Sequence, residues 1–118
     1  MQDVDAGPGH AGPLLEISAS TSNGTTTLLL KGEVDLSNAS QVEEMLRAAS
    51  RESSGPVVID LAGLTFIDSS GIRLFLSLSV AEDGASRCAF ANPSAAVRRV
   101  LDIAGVRDRL PWKDGPPG

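Results

Sequence analysis

Leu15, Ile17 and Ala19 alternate with Glu16 and Ser18, the period-two pattern of a strand with one face buried and one in water. Asn23-Gly24 follows, two residues that tolerate positive φ, so the chain is expected to turn tightly and return along Thr25 to Lys31 as an antiparallel hairpin. The period then changes. Ala39, Val42, Leu46 and Ala49 fall on one face of a helix with Glu43, Glu44 and Arg47 facing water, and Ser37 or Asn38 can cap its start. Gly55-Pro56 ends that helix and opens Val57-Val58-Ile59, an apolar run without alternation that suits a strand covered on both faces.

A loop over 62–68 is expected next, leading into a second helix from about Ser69 to Ala81. That helix is apolar nearly all round, with only Arg73 charged inside it, which predicts that it is largely buried. Arg87 to Ala91 reads as a further core strand. Asn92-Pro93 offers a cap followed by Pro at the first helical position, Val97, Val100, Leu101 and Ala104 form a buried stripe, and Gly105 ends the third helix. Val106 to Trp112 is a candidate edge strand.

This order predicts an α/β fold: a mixed sheet of four to five strands, with an N-terminal antiparallel hairpin, parallel core strands and about three to four helices on its face. At 118 residues the chain suits one domain, placed at 14–112. The flanks, 1–13 and 113–118, carry Gly and Pro with few large apolar groups and are expected to be flexible tails. The chain is 42% hydrophobic but holds only three Phe, one Trp and no Tyr, so its core must be mostly aliphatic.

Charge narrows the function. A net charge of −5 leaves nothing to neutralise a phosphate backbone or an anionic membrane surface, which argues against nucleic-acid and polybasic membrane roles. The one basic grouping, Arg98-Arg99 with Arg107 and Arg109 nearby, reads as helix-surface arginines. Asp3 and Asp5 stand where a signal peptide needs positive charge, and no apolar stretch is long enough to span a bilayer. Cys88 alone forms no internal disulfide and reads as a buried, inert thiol; no metal-ligand spacing occurs, so no metal and no cofactor is expected. Together these features predict a cytoplasmic protein.

Catalysis fares no better. A nucleophilic serine needs a base within hydrogen-bond reach, and the only histidine, His10, lies in the expected flexible tail; no nucleophile elbow or phosphate-binding glycine loop is present. Asp35 and Asp68 are expected to lie close, because both follow central strands, but carboxylates at helix starts usually cap them. The chain is therefore expected not to be an enzyme. What remains is Leu64 through Gly71. Asp68 is placed to cap the second helix by accepting from Ser70 or Gly71, Ser69 lies in the first turn, and Gly71 leaves room for another protein to come close.

Here the chain resembles the STAS-domain family, and within it the bacterial anti-sigma factor antagonists. Three stretches carry the likeness: Leu30-Lys31-Gly32-Glu33-Val34-Asp35, Val58-Ile59-Asp60-Leu61 running through Asp68-Ser69-Ser70-Gly71, and Asn92-Pro93-Ser94 to Leu101-Asp102-Ile103-Ala104-Gly105. The resemblance implies a partner-switching regulator of the kind used in stress response and sporulation. Its unphosphorylated form would bind an anti-sigma factor that is also a serine kinase of the histidine-kinase-like ATPase fold, freeing a sigma factor. Phosphate on Ser69, the expected acceptor ahead of its neighbour Ser70, would end that binding, and a PP2C-type phosphatase would restore it. Asp35, Asp68, Ser69, Ser70, Gly71 and Arg73 are the expected interface. Two alternatives stand beside it: an unphosphorylated STAS scaffold or lipid-transport subunit, and a small hydrolase using Ser69.

Overall fold

The computed structural model describes residues 9–10, 15–80 and 88–115. Among them, five strands form one sheet in chain order, β1 (Gly9–His10), β2 (Leu15–Ser22), β3 (Thr25–Val34), β4 (Val57–Ile67) and β5 (Cys88–Ala91). β1–β2 and β2–β3 pair antiparallel; β3–β4 and β4–β5 pair parallel. Three helices fill the connections and follow the last strand: α1 (Ala39–Glu52), α2 (Ser69–Leu78) and α3 (Ala95–Ala104).

The β2–β3 turn forms where expected, with Asn23 at φ 53° and Gly24 at φ 82°, the positive pair that matches the twist of a two-residue hairpin. The α1–β4 connection comes right up to this turn: a Cβ on Gly55 would collide with the Gly24 carbonyl, so glycine packs on glycine. Gly55→Ala is therefore expected to lower stability by about 1–3 kcal/mol, the ordinary cost of forcing extra volume into a packed contact. Urea denaturation measures it, and a midpoint equal to the parent's would show that the connection gives way freely.

Leu28, Ile59 and Phe90 align across the three parallel strands and are fully buried, together with Leu30, Leu61 and Phe75. They form one apolar cluster with Val42 and Leu46 of α1, Leu74 and Leu78 of α2, and Val97 and Leu101 of α3. The alternate row, Ser18–Leu29–Asp60–Ala91, is exposed or half-buried. Val57, Val58 and Ile59 are all buried, as their unbroken apolar run requires.

The expected loop over 62–68 is instead strand. β4 carries two irregularities: Leu29 pairs with Asp60 but Lys31 with Gly63, and Gly32 pairs with Leu64 but Glu33 with Phe66. At each one β4 uses one residue more than β3, so its inward residues after Ile59 are Leu61, Leu64 and Ile67 rather than every second one. The bulges hide the strand from a period-two reading.

Smaller corrections follow from hydrogen bonding. Gly9 and His10, placed in a flexible tail, pair with Ile17 and Glu16, and Lys113, placed in the other tail, donates its N–H to the Phe90 carbonyl at 2.9 Å. Backbone pairing at a sheet edge needs no apolar side chains. The remaining residues of 1–13, and residues 116–118, lie outside the described residues, as do Ala81 and Arg87.

α2 ends at Leu78 and is buried on one face only, with Arg73 exposed. Ser94, not Asn92, caps α3, accepting from the Val97 N–H at 3.2 Å, and Ala104 is exposed rather than part of the stripe; Gly105 ends the helix at φ 73° as expected. The segment expected as an edge strand instead holds a short 3-10 helix, Arg107–Arg109, and pairs with the sheet through a parallel bridge from Trp112 to Phe90. Glu43 and Arg47, expected to face water, are half-buried, pair with each other at 3.0 Å and both hold Ser77 of α2. Cys88 is half-buried, its Sγ 3.7 Å from Ser50 Oγ.

Candidate functional site

Val34 pairs with Ile67 at the ends of the parallel strands β3 and β4, so the residues that follow, Asp35 and Asp68, leave the sheet side by side. Each strand then runs into a helix. The chain must reverse within a few residues there, and short polar side chains satisfy the backbone groups that the turn leaves unpaired.

Asp68 is the N-cap of α2. Its Oδ1 accepts from the N–H of Ser70 at 2.8 Å and of Gly71 at 3.3 Å, and its Oδ2 accepts from the Leu36 N–H at 3.3 Å. One carboxylate thus starts the helix and ties the β3–α1 loop to it. Asp35 organises that loop: its Oδ1 accepts from the Ser37 N–H at 2.9 Å and from Ser37 Oγ at 2.6 Å. Asp68 caps its helix, as expected of a carboxylate at a helix start, whereas Asp35 closes the turn ahead of α1, whose N-cap position Asn38 occupies. Asp68→Ala removes the cap and the tie together and is expected to cost about 1–2 kcal/mol by urea denaturation, while Asp68→Asn retains most of it. Equal losses from the two would mean that charge, not the acceptor oxygen, is what counts.

Ser69 is the first residue of α2 and is exposed; Ser70 is half-buried. The positive end of the helix dipole lies at this turn, where added negative charge is tolerated by the helix. Arg73 follows Ser69 by four residues, on the same helix face, and is exposed; among the described residues it forms no salt bridge.

Gly71 departs from expectation. It is buried, and a Cβ there would stand 3.1 Å from Ile67 Cγ1 and 3.3 Å from Val34 Cγ1. Its missing side chain lets α2 seat on β3 and β4. The structure therefore gathers Asp35, Asp68, Ser69 and Ser70 at one end of the sheet, places Arg73 one turn along, and turns Gly71 inward.

Two residues escaped the sequence reading. Leu36, between Asp35 and Ser37, is 79% exposed, and Phe66, at the end of β4, is 46% exposed. A lone surface leucine has no signature in a sequence; only the neighbouring cap carboxylate marks this one. The strand that holds His10 lies at the edge of the sheet, with β2 and β3 between it and β4. Among the described residues no group of three His, Cys, Asp or Glu is placed to hold a metal, and no helix is long and apolar enough to cross a membrane.

A family model describing the STAS domain matches residues 16–114. The chain is 33% identical over 90 residues to the anti-sigma F factor antagonist of Lysinibacillus sphaericus, spanning 75% of this chain and 74% of that one. Among solved structures it is similar to the anti-sigma factor antagonist SpoIIAA in its unphosphorylated form, at 26% identity and TM-score 0.59, covering 78% of this chain and 81% of that one. It is similar also to the Bacillus cell fate determinant SpoIIAA in the phosphorylated form, at 26% identity and TM-score 0.55, over 78% and 84% of the two chains.

Proposed function

The chain belongs to the STAS domain family, and from that premise we propose that it is an anti-sigma factor antagonist switched by phosphate on Ser69. Without the phosphate it binds an anti-sigma factor in the cytoplasm and frees a sigma factor; with it, binding ends. It works as a binding module, with the catalytic steps supplied by its partners. The anti-sigma factor is a serine kinase of the histidine-kinase-like ATPase fold, and a PP2C-type phosphatase resets the protein.

The observation that carries this reading is the placing of Ser69. Its residue is exposed, begins a helix capped by Asp68, and stands next to the loop that Asp35 organises. A kinase needs an accessible hydroxyl, and a switch needs a site where a phosphate disturbs docking rather than folding. A phosphoryl group adds about −1.5 to −2 charges at neutral pH. The helix start accommodates it, while the Asp35 and Asp68 carboxylates make the surface hard to desolvate against a partner. That a related antagonist was solved with and without its phosphate supports the same reading.

The test has two steps. Immobilised unphosphorylated protein should capture a sigma-regulating protein with an ATPase domain, identified by mass spectrometry. That protein, purified and given ATP, should phosphorylate the wild type at Ser69 and leave Ser69→Ala unlabelled. Full labelling of Ser69→Ala, or capture of a membrane ATPase that never phosphorylates the chain, would overturn the proposal and favour the scaffold alternative.

A further inference from the structure

Asn38 is the one buried polar residue among those described, 5% exposed. It occupies the N-cap position of α1, yet its side chain makes no cap hydrogen bond. Its amide instead reaches back along the chain. Oδ1 accepts from the Asp35 N–H at 3.0 Å, and Nδ2 donates to the Glu33 carbonyl at 2.9 Å. An asparagine that served only to start the helix would accept from the second or third helical N–H, where Ser or Asp does equally well.

Further hydrogen bonds hold the same loop. The Asp35 carbonyl accepts from the N–H groups of Asn38 at 3.1 Å and Ala39 at 2.9 Å, its carboxylate takes Ser37, and Leu36 N–H is bound to Asp68. The apolar group that this bonding leaves outside is the Leu36 side chain, 79% exposed, beside the exposed Ser37. Isolated surface leucines are ordinary. This one is fixed by its own backbone to the carboxylate that caps the helix of Ser69.

We propose that Asn38 is a positioning residue for the docking surface, and that Leu36 is the apolar group which the positioned loop inserts into the anti-sigma factor. This rests on the function proposed above and names the chemistry of the partner's side: an apolar recess rimmed by Lys or Arg, complementary to a leucine flanked by Asp35 and Asp68. The same bonds explain how one site controls docking. Leu36 is hydrogen-bonded to the residue that precedes Ser69, so a group that enters around Leu36 must also come close to whatever Ser69 carries.

Four proteins decide it: wild type, Ser69→Asp, Leu36→Ser and Asn38→Ser, each titrated calorimetrically with the purified anti-sigma factor from the capture experiment. Leu36→Ser is expected to bind about tenfold or more weakly with an unchanged thermal midpoint, because the side chain leaves no core contact behind. Asn38→Ser keeps a residue suited to capping α1 but cannot bridge Asp35 and Glu33. It is expected to lose about tenfold in affinity and to speed amide exchange at Asp35, measured by NMR without the partner. Wild-type affinity in Leu36→Ser, or unchanged Asp35 exchange in Asn38→Ser, overturns the inference while leaving the phosphoswitch intact. Equal binding by wild type and Ser69→Asp instead sinks the function on which it rests.

Discussion

Ser69→Asp is expected to weaken binding of the anti-sigma factor by at least about 30-fold, and phosphate on Ser69 by up to several thousand-fold, with no change in the circular dichroism spectrum. The magnitude comes from leaving an imperfectly paired charge in an interface, which costs about 2–5 kcal/mol. Aspartate carries one charge and phosphate nearly two, so the substitution belongs at the lower end and the modification at the upper. Both act beside Asp35 and Asp68, whose carboxylates already make the surface anionic. The unchanged spectrum follows from position. Residue 69 is exposed in the first turn of α2, where the helix favours an anion, so the charge falls on docking and spares the scaffold. Raising ionic strength should recover little of the affinity, since a charge at the centre of an interface is poorly screened. A spectrum that collapses in Ser69→Asp, or an affinity that stays at the parent level, would show that Ser69 belongs to the fold or to nothing.

The largest loss of stability is expected from Phe90→Ala, about 3–5 kcal/mol in urea denaturation. Domains of this size are stable by only about 5–15 kcal/mol, so the variant is expected to be partly unfolded at 37 °C. Phe90 is fully buried on β5, a strand of four residues, and its ring meets Phe75 of α2 at a centroid distance of 5.0 Å and Trp112 at 6.1 Å. In a chain with three Phe and one Trp, that cluster joins three aromatic residues. Its truncation leaves a cavity that short aliphatic neighbours fill poorly. It also loosens the backbone bridge through which Pro111 and Lys113 bond to Phe90. A loss below about 1 kcal/mol would mean that the last strand and its C-terminal cover contribute little to the fold.

Much of the site was legible because its residues are consecutive. Asp68 as the cap of α2, with Ser69 exposed beyond it, follows from local rules: a short acidic side chain before an apolar helical run meets the unpaired N–H groups of the first turn. Asp35 and Asp68 standing side by side follows from two parallel neighbours in the sheet, which the β-α-β order implies. Gly71 was misread for a physical reason. A glycine shows that room is needed, but not on which side, and only the packing of Ile67 and Val34 tells that the room lies inward. Asn38 and Leu36 were out of reach for the same kind of reason. A capping asparagine and one that bridges back to Asp35 and Glu33 have the same neighbours in sequence, and a leucine in a loop carries no mark of whether it is covered.

The fold divides along the same line. Local order within the chain, namely hydrophobic period, turn chemistry at Asn23-Gly24 and the stop at Gly105, was enough to predict a mixed sheet, its hairpin and its three helices. These features depend on residues within a few positions of each other, where backbone sterics and amphipathic spacing act directly. The two bulges of β4, the edge pairing of Gly9–His10 and the approach of Gly55 to Gly24 depend on partners distant in sequence. Such contacts are settled only when strands and helices pack, because a backbone hydrogen bond or a steric limit has no direction until its partner is in place.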